Sequence, residues 1–87
     1  MGRGKRWTVK RLPEKLLQIR EALGLSQTGL MRELGLDQTL YQSNISSYES
    51  GHREPPLPVI LAYARLARVS TDDLIDDRVE LRLKNLK

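Results

Sequence analysis

The sequence contains no cysteine, and its one histidine, His52, has no second histidine to work with. Without thiols there is no disulfide framework and no thiolate chemistry. A lone imidazole with no cysteine also argues against a zinc site, so no metal is expected. No apolar run approaches the roughly 20 residues of a membrane span, and no secretory apolar segment follows the N-terminus. There is no carboxylate pair, no Cys/His nucleophile arrangement and no glycine-rich phosphate loop, since the G-R-G at 2–4 precedes no strand–helix unit. These absences argue against an enzyme, a cofactor, a small-molecule ligand or a membrane partner. They fit a cytoplasmic protein.

What is present is a single small domain, because 87 residues support one modest core. Its charge is uneven. Residues 1–20 hold seven Lys/Arg against one Glu, and the remainder hold eight against ten, giving +4 overall. A basic segment on a near-neutral body suggests a polyanion partner, since each neutralised phosphate releases counterions. The alternative is a solubilising disordered tail. Residues 1–11 (M-G-R-G-K-R-W-T-V-K-R) show no helical period and read as a flexible basic arm. Its cations Arg3, Lys5, Arg6, Lys10 and Arg11 could lie along a phosphate backbone or reach into a minor groove. Trp7 could stack on a base or sugar, or pack onto a helix.

The chain is organised around 23–51. Ser26 is a good N-cap, Leu30, Met31 and Leu34 follow at helical spacing, and Gly35 suits the stop. A second helix, from about Tyr41 or Gln42 to Ser50, places Ile45 and Tyr48 on one face. Ser43, Ser46, Ser47 and Ser50 fall on the other, and Gly51 ends it. That outer face is neutral and polar, built from poor helix formers. It is either plain solvated surface or a reading face. Gln and Asn can bond bidentately to adenine in the major groove, and Ser can reach any base edge.

The motif S-Q-x-x-L-x-x-x-L-G over 26–35, then I-S-x-Y-E-x-G over 45–51 and a Pro-led helix, resembles the Cro/Xre-type phage-repressor helix-turn-helix family. The matching residues are Ser26, Gln27, Leu30, Leu34, Gly35, Ile45, Tyr48, Glu49 and Gly51, and the resemblance spans about 12–75. It implies an all-α, compact five-helix repressor-like domain that binds double-stranded DNA. Gln27 and Gln42 match two glutamines that brace one another over an adenine. Ser43, Asn44, Ser46 and Ser47 match the other groove-facing positions, and Ser26, His52 and Arg53 match phosphate contacts. Arg20 and Glu49 match a structural ion pair; otherwise Arg20 snorkels to solvent. Three features depart from the pattern. Gly29 replaces a capping-box Glu, Met31 replaces a small residue, and four extra residues lengthen the turn around L-D-Q-T-L-Y. That insertion either extends the turn or adds a helical turn, and Leu36, Leu40 and Tyr41 should pack.

The flanking elements follow from periodicity. Leu12, Leu16, Ile19 and Leu23 give the first helix a 0, 4, 7, 11 stripe, with Pro13 at its start. After the G-H-R-E-P-P-L-P loop, Pro58 suits N1 of a fourth helix at 57–68, with Leu57, Ile60, Leu61, Ala64 and Ala67 as its core stripe and Tyr63 packed in the core. Arg68 stands where a C-cap glycine is usual. A fifth helix at about 72–76 should close the core with Leu74 and Ile75. Residues 12–76 thus form the domain, and 77–87 a C-terminal tail. There Val79, Leu81 and Leu83 alternate with charges, the signature of a strand. The tail is either frayed or pairs with a second copy in a homodimer on paired half-sites. The expected function is a sequence-specific transcriptional regulator acting as a repressor, with no room in 87 residues for an effector domain. The rival is a protein-interaction module of antitoxin type on the same fold.

Overall fold

The computed structural model describes residues 8–83. It is all-α, with α1 at Leu12–Leu23, α2 at Gln27–Leu34, α3 at Gln42–Ser50, α4 at Leu57–Ala67 and α5 at Thr71–Ile75, and there is no strand among the described residues. Helix ends follow local chemistry. The Ser26 hydroxyl accepts from the Gly29 amide at 2.9 Å, satisfying one free donor of α2. Gly35 and Gly51 stop α2 and α3 at φ 75° and 85°, where a side chain would be strained. Arg68 closes α4 in the same left-handed region at φ 60°, which costs about 1 kcal/mol in a residue with a Cβ. Pro58 sits in the first turn of α4 but one residue inside the expected start, and α5 begins at Thr71 rather than Asp72.

The core is drawn from every helix. Leu12, Leu16 and Ile19 meet Leu30 and Met31 of α2, Ile45 and Tyr48 of α3, and Val59, Ile60, Tyr63, Ala64 and Ala67 of α4. Leu74 completes it as expected, but Ile75 is exposed. The α4 stripe departs from its expected position along one edge. Ile60, Tyr63, Ala64 and Ala67 are buried as expected, but Val59 turns inward while Leu57 and Leu61 turn out, Leu57 with 78% exposure. Apolar residues surround this helix, so the tighter fit against α1 and α2 decides which face is buried.

Tyr63 is fully buried, and its hydroxyl has no hydrogen-bond partner among the described residues. Burial, with the nearby Glu49 carboxylate adding to it, pushes its pKa well above the ordinary tyrosine value. An unsatisfied buried hydroxyl carries a desolvation penalty and no return. Tyr63→Phe should therefore raise the unfolding free energy by about 1 kcal/mol in urea denaturation. A loss of similar size would mean that the hydroxyl has a partner in solution.

The two flanks of the domain are laced together. The Lys10 and Arg11 amides donate to the Asp77 carboxylate at 2.9 and 2.8 Å. Those bonds, Arg11 first, hold the Asp77 pKa below the ordinary carboxylate range. The Arg11 guanidinium reaches Glu14 at 3.1 Å, Glu80 at 3.3 Å and the Asp77 carbonyl at 3.3 Å. The tail is not a free strand: Leu81 is buried, Leu83 packs against the same core, and the Leu81 carbonyl accepts from Gln18 Nε2 at 3.4 Å. Val79 lies in the turn that follows α5, its amide donating to the Asp76 carbonyl at 3.1 Å, and of the alternating residues Leu81 and Leu83 meet the core. One buried cation stands apart. Lys15 is 1% exposed, and its ammonium donates to the Asp73 and Asp76 carbonyls at 2.7 and 3.0 Å, capping α5.

Candidate nucleic-acid interface

α2 and α3 are joined by the long turn, which forms no extra helix. The Leu36 carbonyl accepts from both the Thr39 and Leu40 amides, at 2.9 and 2.8 Å, and knots the insertion onto itself. Leu36 and Leu40 pack against the core, whereas Tyr41 does not. It stands 78% exposed as the residue preceding α3. Its amide is fixed by Asn44 Oδ1 at 2.8 Å, so half of Asn44's hydrogen-bonding capacity serves the helix start.

From this frame a chain of side chains runs outward from the core. Glu49 is 7% exposed and receives Arg20 Nε at 2.7 Å and Nη2 at 3.1 Å, a fork-to-fork ion pair. Hydrogen bonding to Glu49 raises the Arg20 pKa, so the guanidinium stays charged. The Arg20 Nη1 donates to the Leu25 carbonyl at 3.0 Å. Glu49 Oε1 also accepts from Gln27 Nε2 at 3.1 Å, and Gln27 Oε1 accepts from Gln42 Nε2 at 3.0 Å. Gln27 is therefore spent within the protein as a brace, and Gln42 carries the free end. Ser43 and Ser46 are exposed and Ser47 is half-buried, so the neutral polar face expected of α3 is present.

The loop after α3 is gathered on one oxygen. The Ser47 carbonyl accepts from the Ser50 hydroxyl at 3.2 Å and from the His52 and Arg53 amides at 3.0 and 3.3 Å. Ser50 Oγ also lies 2.6 Å from His52 Nδ1, a hydrogen bond that ties the ring to the end of α3. Arg53 is exposed, and no ion pair ties it to Glu54. Glu54 instead accepts from the Val9 amide at 2.9 Å. The start of the described chain is thus held beside the loop, and an open groove lined by Val9, Lys10, Asn44, His52 and Arg53 lies between them.

The predicted site residues divide accordingly. Gln27, Gln42, Ser43, Ser46, Ser47 and Asn44 come together on the α2–α3 unit, with Ser26, His52 and Arg53 around it. Lys10 keeps an exposed side chain, but Arg11 is taken up by Glu14, Glu80 and Asp77 and is not a free cation. Arg3, Lys5 and Arg6, with Trp7, lie outside the described residues. The missed residues are Tyr41 and Lys15. An aromatic in a turn and a lysine beside an apolar stripe carry no signal of their final exposure.

A short helix capped by Ser26, a turn, and a second helix with an outward polar face define a helix-turn-helix unit. The helix-turn-helix family model matches residues 16–74, and the chain belongs to this Cro/Xre-type family. No curated protein and no solved structure matches it significantly. It is a DNA-binding helix-turn-helix regulator with double-stranded DNA as its partner. No described helix is long and apolar enough to cross a membrane.

Proposed function

We propose that this protein represses transcription by reading a specific operator with α3 in the major groove. The observation that carries the reading is the Glu49–Gln27–Gln42 chain, which holds one amide at the free edge of α3 in a fixed orientation. Gln42 then contacts adenine, and Ser43, Asn44, Ser46 and Ser47 reach neighbouring edges directly or through water. Ser26, Arg53, Lys10 and His52 grip phosphates, and Arg3, Lys5 and Arg6 add salt-dependent affinity. Tyr41, exposed at the start of α3, joins the backbone contacts through its hydroxyl.

The same reading includes a homodimer. With Leu81 and Leu83 on the chain's own core, the apolar face of α4 and α5 replaces the tail as its contact. Leu57, Leu61 and Ile75 line one shallow depression with Pro58 and Thr71. Arg65 lies one turn beyond Leu61 and Asp72 one turn before Ile75, so a two-fold axis can pair opposite charges across copies. Three side chains fall well short of the roughly 800 Å² per partner of a stable interface. The dimer should therefore form on DNA and dissociate without it.

The test is selection of random duplexes by the purified protein, with Gln42→Ala in parallel. The expected result is a palindromic motif from which the variant loses one or two positions, worth about 1–3 kcal/mol each. A protein partner seated on the Leu57–Leu61–Ile75 face is the second reading. It is favoured if binding proves salt-sensitive but selects no motif.

A further inference from the structure

The Glu49 carboxylate can only accept hydrogen bonds. The end of the Gln27 amide that faces it at 3.1 Å must therefore be its NH2 group. Gln27 Oε1 then faces Gln42 at 3.0 Å, and it too can only accept, so Gln42 must present its own NH2 there. One N–H and the carbonyl oxygen of Gln42 remain. That remaining fork, one donor beside one acceptor, complements adenine N7 and N6–H. Were the chain reversed, Gln42 would turn its oxygen to Gln27 and present its N–H groups outward, and two donors complement guanine N7 and O6. Reversal is blocked at its inner end, because it would set Gln27 Oε1 against a Glu49 carboxylate oxygen, acceptor against acceptor.

We infer that Glu49 is a specificity-determining residue that never touches DNA: through Gln27 it fixes the polarity of the Gln42 amide and so selects adenine over guanine. The inference rests on α3 being the reading helix, and it adds a role to an ion pair otherwise required only for folding. Glu49→Gln should loosen the arrangement. Oε2 accepts from Arg20 Nε at 2.7 Å and Oε1 accepts from both Arg20 Nη2 and Gln27 Nε2 at 3.1 Å, and an amide keeps an acceptor at only one of these two places. Gln27 and Gln42 then lose their fixed polarity.

The experiment is equilibrium competition between duplexes carrying A or G at the base pair that Gln42 reads. Wild type, Gln42→Ala, Glu49→Gln, Gln27→Leu and Arg20→Lys are compared, with a melting curve for each. Wild type should prefer A by about tenfold or more. Glu49→Gln should bring that ratio close to unity, a loss of about tenfold. Gln27→Leu leaves the ion pair intact and should flatten the preference, which keeps the test open if Glu49→Gln does not fold. Arg20→Lys weakens the pair but keeps the carboxylate, so the preference for A should persist as the melting temperature falls. If Gln42→Ala leaves the A/G ratio unchanged, the reading of α3 itself fails. If Gln42→Ala abolishes the preference while Glu49→Gln and Gln27→Leu both keep it, the polarity relay is overturned and the reading stands. Relaxation that merely tracks the loss of melting temperature in every variant also overturns it.

Discussion

Glu49→Ala should lower the unfolding free energy by about 3–5 kcal/mol, because it strips one partner from a largely buried ion pair. The Glu49 side chain is 7% exposed and that of Arg20 is 20% exposed. Deleting the carboxylate leaves Arg20 Nε, Nη2 and the Gln27 amide without acceptors, while only the Nη1 bond to Leu25 survives. The guanidinium cannot escape by losing its proton, since arginine stays charged in any protein. In a domain of this size each kcal/mol moves the melting midpoint by about 4–8 °C, so a fall of at least about 12 °C is expected. Thermal and urea denaturation would measure it. A loss below about 1 kcal/mol would place the pair among ordinary solvated bridges.

Lys15→Ala should cost about 2–4 kcal/mol, through two separable effects. The aliphatic stem is packed in the core beside Leu12 and Leu16, so truncation leaves a cavity. The ammonium bonds the Asp73 and Asp76 carbonyls; Asp76 keeps the Val79 amide at 3.1 Å, but Asp73 near the end of α5 has no other donor among the described residues. Lys15→Met keeps the stem and removes the cap, so its loss should fall between wild type and Lys15→Ala in the same denaturation series. Equal stability of Lys15→Met and wild type would show that the cap contributes nothing. Hydrogen exchange should locate the loosening first in α5 and the tail packed behind it.

Helix boundaries were legible because they are set by neighbours in sequence. Ser26 caps within three residues, and Gly35 and Gly51 stop their helices locally. The Arg20–Glu49 pair and the Gln27–Gln42 brace, implied by the family pattern, are both present. The bond between them, Gln27 to Glu49, depends on how α2 crosses α3 and has no trace in spacing. The inner face of α4 was legible at Ile60, Tyr63, Ala64 and Ala67 but not along its edge, because Leu57, Val59 and Leu61 are all apolar and a helix apolar on most sides does not declare its inner face. Tyr41 was misjudged for the same reason at the scale of one residue: an apolar side chain in a turn packs only if the turn faces the core. Arg11 looked like a free cation because its partners Glu80 and Asp77 lie more than sixty positions away. The spacing of Leu81 and Leu83 in the tail reflects burial against the chain's own helices, which spacing alone does not separate from burial in a sheet.

The lacing of Lys10 and Arg11 to Asp77 has a consequence for modularity. The Asp77 carboxylate, on the segment leaving α5, holds the amides of the segment leading into α1, so the two flanks of the helical body lie side by side at that point. A body whose flanks meet can be spliced into a surface loop of a host protein through short linkers, without prying the host loop apart. The same geometry suits circular permutation. A short linker could join the two flanks, and a new break could be opened in the exposed stretch at 37–39, away from every helix.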